Sequence, residues 1–244
     1  GVEIAGALSE MKKYVLPKDY PDMPSSLMHI YLIEAGERLL PAMSPDSSAH
    51  VEKYLRSMGV NVLLNKMVTD YQDHRVILKD GSSIATRTFI WVSGVAAQKV
   101  GNLDASHLGR GARIKVNACN QVEGLDGVFS IGDQCIMTEG DPNWPGGHPQ
   151  LAQVAIQQGV LLAKNLQRLE KGKEMKPFRY RNLGTMATVG RNKAVAEFRK
   201  VHMAGFMAWF MWLVVHLRSI LGVRNKIVVL LNWMWNYFSY GQSL

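Results

Sequence analysis

The residues whose types and spacing could do chemistry are carboxylates and amides set beside glycines. Val128-Phe129-Ser130-Ile131-Gly132-Asp133 is an apolar run closed by Gly-Asp. Such a run places a carboxylate at the carboxyl edge of a sheet, where α/β proteins bind their ligands. Gly132 permits close backbone approach, and Asp133 can accept hydrogen bonds from a ribityl chain. The plain alternative is a β-turn aspartate. Glu34 ends a second apolar run, LMHIYLIE at 27–34. An acidic residue there accepts both hydroxyls of an adenosine ribose and repels a 2′-phosphate, which selects NAD over NADP. The alternative is a surface glutamate. Gln153, Gln157 and Gln158 fall in Ala152-Gln153-Val154-Ala155-Ile156-Gln157-Gln158-Gly159. Positions 153 and 157 share a helix face. Amides donate and accept, which suits a flavin edge or a quinone carbonyl; an ordinary solvent face is the alternative. Ala152, Ala155 and Gly159 allow close packing.

The opening Gly1-Val2-Glu3-Ile4-Ala5-Gly6 bears on Glu34. A dinucleotide-binding loop ends in a glycine that opens a helix with apolar residues at helical spacing, as these residues do. The sequence starts at the last glycine of such a loop, so it is expected to be a piece of a larger enzyme. Glu34 lies 33 residues after Gly1, beyond the usual ~20, and the proline-rich stretch after the first helix accounts for the excess.

Elements that would position these residues are legible in outline. Residues 1–14 read as a helix, and 16–26, with three prolines, as a loop. Residues 27–34 read as a buried parallel strand. A helix starts at Pro45-Asp46-Ser47-Ser48 and ends at Gly59, followed by a short strand over 60–64. Residues 76–84 form a hairpin on Asp80-Gly81. Residues 88–92 (TFIWV) are a buried strand closed by Ser93-Gly94-Val95, and 127–131 a strand ending at Gly132-Asp133. Residues 96–126 read as irregular. Pro149 opens a long helix to about Glu170, 178–200 hold short strands or a hairpin, and 203–240 hold two apolar helices. This order predicts an α/β fold with a parallel sheet interrupted by an antiparallel excursion.

Charge is unevenly placed. Residues 171–244 carry 12 Lys+Arg against 2 Asp+Glu, whereas residues 1–170 carry 16 against 18, so the net +8 comes from the last third. That third also holds Trp209, Trp212, Trp233 and Trp235. Cations mixed with Trp, Met and Phe predict an anionic lipid surface as partner and no nucleic acid. Residues 203–217 carry no formal charge but are shorter than the ~20 residues that span a bilayer. Two short helices lying in the membrane interface are expected, with a homodimer surface or a buried pair as the alternatives. Cys119 and Cys135 form no close motif, so neither a disulfide scaffold nor a cysteine metal cluster is expected. The seven histidines show no metal-ligand spacing, and no metal site is expected.

In chain order, the opening Gly1-Val2-Glu3-Ile4-Ala5-Gly6, LMHIYLIEAGERLLP at 27–41, Trp91-Val92-Ser93-Gly94-Val95, FSIGDQC at 129–135, AQVAIQQG at 152–159 and LGTMATVGRNKAVA at 183–196 resemble type II NADH:quinone oxidoreductases. So does the apolar, basic tail. FSIGD is shared with all two-dinucleotide-domain flavoproteins; AQxAxQQG with the tail is the narrower signature. The resemblance implies a Rossmann-like flavoprotein with FAD and NAD as cofactors. It oxidises NADH in a respiratory chain and passes electrons to a membrane quinone without proton pumping. It would be peripheral on the cytoplasmic face of a bacterial inner membrane or on a mitochondrial inner membrane.

The resemblance also implies site residues. Gly1 would close the NADH pyrophosphate loop, Glu34 hold the adenosine ribose, Glu3 sit near the flavin–nicotinamide contact and Gly94 line the nicotinamide passage. Gly132 and Asp133 would bind the FAD ribityl or pyrophosphate region, and Gln153 and Val154 contact the isoalloxazine. Gln157 and Gln158 would border a quinone channel, with Lys193 a further candidate. Residues 1–95 would be NADH-binding, 96–175 part of the FAD domain, and 176–244 membrane-binding. The family's FAD domain begins with its own glycine loop, which this sequence does not contain, so the piece alone is expected to be inactive. The rival expectations are a related flavoprotein such as a sulfide:quinone oxidoreductase, through Cys135, or a non-catalytic membrane-binding module.

Overall fold

The computed structural model describes residues 1–199 and 201–239. Along the chain, α1 (Val2–Glu10) runs through a π-helical turn (Met11–Val15) into α2 (Leu16–Asp19). Then come β1 (Ile30–Ile33), α3 (Pro45–Ser57), β2 (Val60–Leu63), β3 (Val68–Gln72), β4 (Arg75–Leu78) and β5 (Ser83–Ala85). β6 (Ile114–Lys115), β7 (Cys135–Ile136) and α4 (Ala152–Glu170) are next. Last are β8 (Thr185–Gly190), β9 (Lys193–Phe198), β10 (Val201–Ala204), α5 (Phe206–Ser219) and α6 (Val223–Ser239). The chain forms two compact units, one of Gly1–Trp91 with the described residues from Gly184 onward, the other Val92–Leu183.

In the first unit β1 pairs in parallel with β2, Ile30 opposite Val60 through Ile33 opposite Leu63. Helix α3 connects them. It begins where Ser44 Oγ accepts from Ser47 N at 3.3 Å, with Pro45 in the first turn, and ends before Gly59 at φ +84°. The first-turn proline and the closing glycine are as expected, and the Ser44 cap satisfies an N–H of the first turn. Val51 and Leu55, four apart on α3, are fully buried with Val60 and Val62. Helix α1 adds Val2 and Ala5 to that core, and β8 adds Ala187 and Val189. β3, β4 and β5 form an antiparallel meander, with Gly81 at φ +82° in the β4–β5 turn. β8, β9 and β10 form a second antiparallel sheet. Helix α5 lays Ala208 on Ala194 and Ala196 of β9.

The second unit is poorer in regular structure. β6 and β7 pair in parallel, Ile114 opposite Cys135. Single bridges tie Leu108 to Ile114, Val116 to Val122 and Gln121 to Phe129. The core gathers Ile114, Val116, Val122, Cys135, Met137, Phe178 and Tyr180 against Val154 of α4.

Five expectations are corrected. Residues 88–92 are not a buried strand: Ile90 and Trp91 are exposed, and Phe89 stacks on Tyr71 at 5.0 Å. No ladder takes their backbone among the described residues, and an apolar run becomes a strand only with a partner. Residues 127–131 are reduced to the single bridge at Phe129, with Val128 exposed. The stretch read as a loop from residue 16 holds the short helix α2, because Pro17 falls in a first turn, where proline is tolerated. α4 begins at Ala152, so Pro149 lies outside it. The apolar run 27–34 forms a strand only over β1, and it is not buried throughout, since Tyr31 is exposed. β3 was not anticipated; its mixed sequence VTDYQ is held by the β4 edge. Of the second apolar helix expected to reach residue 240, Tyr240 lies outside the described residues.

Candidate functional site

The first unit presents two carboxylates from sheet and helix ends. Gly1 caps α1, its carbonyl accepting from Ala5 N at 2.9 Å. Glu3 is exposed on the first turn, and its Oε1 accepts from Thr188 N and Oγ1, each at 3.3 Å. Glu10, on the same helix, accepts from Arg191 N at 2.6 Å. Glu3 and Glu10 thus fasten α1 to the β8–β9 hairpin. Glu34 comes directly after the last residue of β1. Its N–H donates to Leu63 O at 2.9 Å and its carbonyl accepts from Lys66 N at 3.0 Å, continuing the parallel ladder one step. Its Oε1 accepts from Gly36 N at 2.8 Å, and no donor reaches Oε2 among the described residues. This half-exposed carboxylate is held by one oxygen and can accept through the other. Lys193 opens β9 beside Gly190.

In the second unit the Gly-Asp pair forms a tight turn, Gly132–Gln134, just before β7. Gly132 has φ +67°, and a Cβ there would lie 3.2 Å from Ala155 Cβ on α4. Its glycine is required both by backbone conformation and by helix approach. Gln158 fixes the turn: its Oε1 accepts from Gly132 N at 2.7 Å and its Nε2 donates to Cys135 Sγ at 3.7 Å. Gln150 Nε2 donates to Asp133 O at 3.2 Å. The Asp133 carboxylate is exposed and accepts no hydrogen bond among the described residues. A positive-φ glycine packed on a helix, next to an outward carboxylate, fits the hydroxyl-rich part of a flavin dinucleotide.

The glutamines of α4 serve the protein's own backbone. Gln157 is bonded twice to Arg181, donating to its carbonyl at 2.9 Å and accepting from its N–H at 3.1 Å. Gln153 Oε1 accepts from Leu183 N at 3.0 Å. The two share a face, as their spacing predicts, and that face grips the extended chain at 181–183. Gln157 also lines a shallow open cleft with Ile156, Val160, Lys164 and Pro177. Gln158 was expected at a channel border but is 1% exposed, because its amide satisfies the Gly132 turn. Val154 points into the core, so only its backbone can face a ligand. Gly94 is exposed at φ +80° with open space where a Cβ would stand.

The second unit also holds a buried pair that sequence reasoning missed. His148 Nε2 is 3.1 Å from Asp141 Oδ2, both side chains 2% exposed. Burial works to raise the Asp141 carboxyl, but bonds from His148, Tyr180 N and Asn143 N outweigh it and hold it below its usual range. Phe178 and Tyr180 stand edge-on to the imidazole. The aromatic spacing around the Asp and His was the available signal. Gly6 was missed as well: a Cβ there would fall 1.6 Å from Val189 O. A lone glycine inside a nine-residue helix was its signal. Burial pushes the Cys135 thiol up, tempered by Gln158, Arg113 and Asn120. That is the opposite of an activated thiolate and speaks against cysteine-based sulfide chemistry at this position.

Helices α5 and α6 show apolar stripes. Met207, Met211 and Val214 on α5, and Ile227, Leu231, Met234 and Phe238 on α6, recur at spacings of three and four and are exposed. Trp209 packs on Tyr237 and Trp212 on Trp233, which leaves Trp235, 72% exposed, as the outward indole of the four in this region. No helix among the described residues is long and apolar enough to cross a membrane.

Residues 1–159 match the Pyridine nucleotide-disulphide oxidoreductase family, and residues 182–240 match the NDH2 C-terminal domain. The chain is 34% identical to the type II NADH:quinone oxidoreductase NdhA of Mycobacterium tuberculosis, over 96% of this chain and 51% of that protein. It is 33% identical to an internal alternative NAD(P)H-ubiquinone oxidoreductase A1, mitochondrial, of Solanum tuberosum, over 96% of this chain and 50% of that protein. It thus spans about half the length of the curated relatives it matches. Among solved structures, NDH2 from Plasmodium falciparum in complex with NADH superposes with TM-score 0.87 at 16% identity, covering 98% of this chain and 64% of that one. The sulfide:quinone oxidoreductase of Aquifex aeolicus gives TM-score 0.64 at 14% identity, covering 96% and 58%. The α/β fold is that of the FAD- and NAD-binding oxidoreductases, and the chain belongs to the pyridine nucleotide-disulphide oxidoreductase family, on its type II NADH:quinone oxidoreductase branch.

Proposed function

We propose that this chain is part of an FAD-dependent respiratory NADH dehydrogenase that uses a membrane quinone as acceptor and moves no protons across the membrane. The observation that carries the reading is the pairing, in one chain, of a pyridine-nucleotide match over 1–159 with an NDH2 C-terminal match over 182–240. The match to the second of these favours it over a sulfide oxidase or a non-catalytic module.

In this reading residues 1–95 bind NADH, 96–175 contribute to the FAD site, and 176–244 carry the helices α5 and α6 that meet the membrane. Glu34 accepts the adenosine ribose hydroxyls through Oε2, and Gly1 closes the pyrophosphate loop. Glu3 orients near the nicotinamide while its other contacts hold Thr188, and Gly94 leaves its passage open. Asp133 accepts from the ribityl or pyrophosphate region at the Gly132 turn, which Gln158 keeps in shape. Gln153 and the Val154 backbone face the ring system. When bound, FAD supplies hydride acceptance from NADH and electron delivery to quinone. Gln157, at its cleft, and Lys193 serve the quinone side. The exposed stripes of α5 and α6, flanked by Arg218, Arg224 and Lys226, enter the interface of an anionic bilayer, the lipid that dissolves quinone.

The test uses the full-length protein with its flavin. NADH should reduce a short-chain quinone through it, and removing residues 203–244 should release it from vesicles containing anionic lipid. A purified full-length protein without flavin, or one that pellets with vesicles equally well after the deletion, overturns the corresponding half of the reading. Concentration-dependent self-association lost on the same deletion would assign the stripes to a homodimer instead.

A further inference from the structure

The turn after Glu34 contains an arginine whose bonds bear on dinucleotide choice. In many dinucleotide sites an arginine near the end of this strand accommodates a 2′-phosphate. Arg38, four residues after Glu34, is of the right type and place. Its guanidinium is engaged elsewhere: Nη1 donates to Met43 O at 2.7 Å and to Ser48 Oγ at 3.3 Å, and Nη2 donates to Pro41 O at 2.9 Å. Ser48 Oγ in turn donates to Leu39 O at 2.6 Å. These bonds draw residues 38–43 into a closed loop around the guanidinium and seat Leu39 and Met43 in the core.

The loop bears directly on the ribose carboxylate. Gly36 lies between Glu34 and Arg38, with its N–H on Glu34 Oε1 and its carbonyl accepting from Asn65 N at 2.9 Å. A Cβ on Gly36 would stand 3.3 Å from Glu34 Oε1 and 3.8 Å from Arg38 O. Any shift of the loop therefore moves the N–H that aims Glu34. We propose that Arg38 is a positioning and specificity-determining residue for the dinucleotide. Turned inward onto carbonyls, it withholds from a 2′-phosphate the cation that would bind it, and it holds Gly36 so that Glu34 presents Oε2 to the ribose. The inference rests on the reading of Glu34 as the ribose acceptor.

Calorimetric binding of ADP-ribose and 2′-phospho-ADP-ribose to the full-length protein tests it without any turnover. Arg38→Ala should weaken ADP-ribose binding ~10-fold, the size of one charge-assisted hydrogen bond, and narrow the preference over the phosphorylated ligand. Arg38→Lys keeps the charge but lacks the planar fork that spans Pro41 O, Met43 O and Ser48 Oγ from two nitrogens, and should show the same narrowing in milder form. In a Glu34→Gln background Arg38→Ala should add less than about twofold, because the two act through one carboxylate. Equal losses in both backgrounds would reduce Arg38 to general support of the fold and overturn the proposal. A selective loss of 2′-phospho-ADP-ribose binding in Arg38→Ala would overturn it too, by showing the guanidinium on the phosphate. If Glu34→Gln by itself leaves the preference unchanged, the ribose reading fails first and carries this inference with it.

Discussion

Helix α1 buries Val2, Ala5, Gly6 and Ser9 within nine residues, while α6 runs for seventeen residues and buries none. Both belong to the first unit. α1 packs so closely on β8 that residue 6 has no room for a side chain, and its carboxylates bond to the backbone of the β8–β9 hairpin. α6 is attached at its end and along one aromatic seam. Arg191 donates to Asn236 O at 2.8 Å and Tyr237 O at 2.6 Å, and its guanidinium lies 5.0 Å from the Tyr237 ring centre. Hydrophobic content alone does not separate the two helices. What separates them is whether a complementary surface lies among the described residues; exposed apolar stripes are the kind of surface that partners or membranes cover.

The largest effect should come from filling the α1 contact. Gly6→Ala places a carbon against the Val189 carbonyl and should cost more than about 3 kcal/mol or prevent folding, read by thermal denaturation. If the variant melts like the parent, α1 is not seated as described.

The buried pair of the second unit comes next. His148→Ala leaves the Asp141 carboxylate buried without its imidazole and should cost about 3 kcal/mol. The sign of its pH dependence is set by the lowered Asp141 value. A depressed folded-state pKa contributes stability above the ordinary carboxylate range and loses it as pH falls through the folded value. Asp141→Asn should flatten that acid limb of a stability–pH curve; an unchanged limb would assign the acid sensitivity elsewhere.

Gln158→Leu should be milder, about 1–3 kcal/mol, the penalty for leaving Gly132 N without its acceptor. It should also lower flavin retention in the full-length protein. Retention without loss would separate the turn from the cofactor.

The smallest effect on stability should be on α6. Trp235→Ala should change stability by less than about 0.5 kcal/mol. Its vesicle affinity should nevertheless fall about tenfold or more, since burial of a large apolar side chain is worth ~1.5–3 kcal/mol. A stability loss with unchanged vesicle binding would reverse the contrast between α1 and α6.

Local signals were enough to read several elements from the sequence. Pro45 and Gly59 bound α3, Asp80-Gly81 closes the β4–β5 turn, and the 3.6-residue period places Gln153 and Gln157 on one face. Each is set by residues within a turn or two of one another. Glu34 and Asp133 were legible as outward carboxylates because they end apolar runs at glycine-bearing turns.

The rest was decided by tertiary structure. Residues 88–92 carry strand composition but meet no ladder among the described residues, since pairing depends on a distant chain segment. Gln157 and Gln158 are neighbours of identical chemistry, yet one lines an open cleft and the other is sealed against Gly132, because successive helix positions point about 100° apart. Arg38 has the type and place of a phosphate ligand, but its bonds to Pro41, Met43 and Ser48 turn it inward. Sequence by itself determined which residues could accept, donate or stay out of water. Only the folded chain decided which of those capacities its own backbone uses and which remain for a ligand, because a buried polar group must find a partner wherever packing places it.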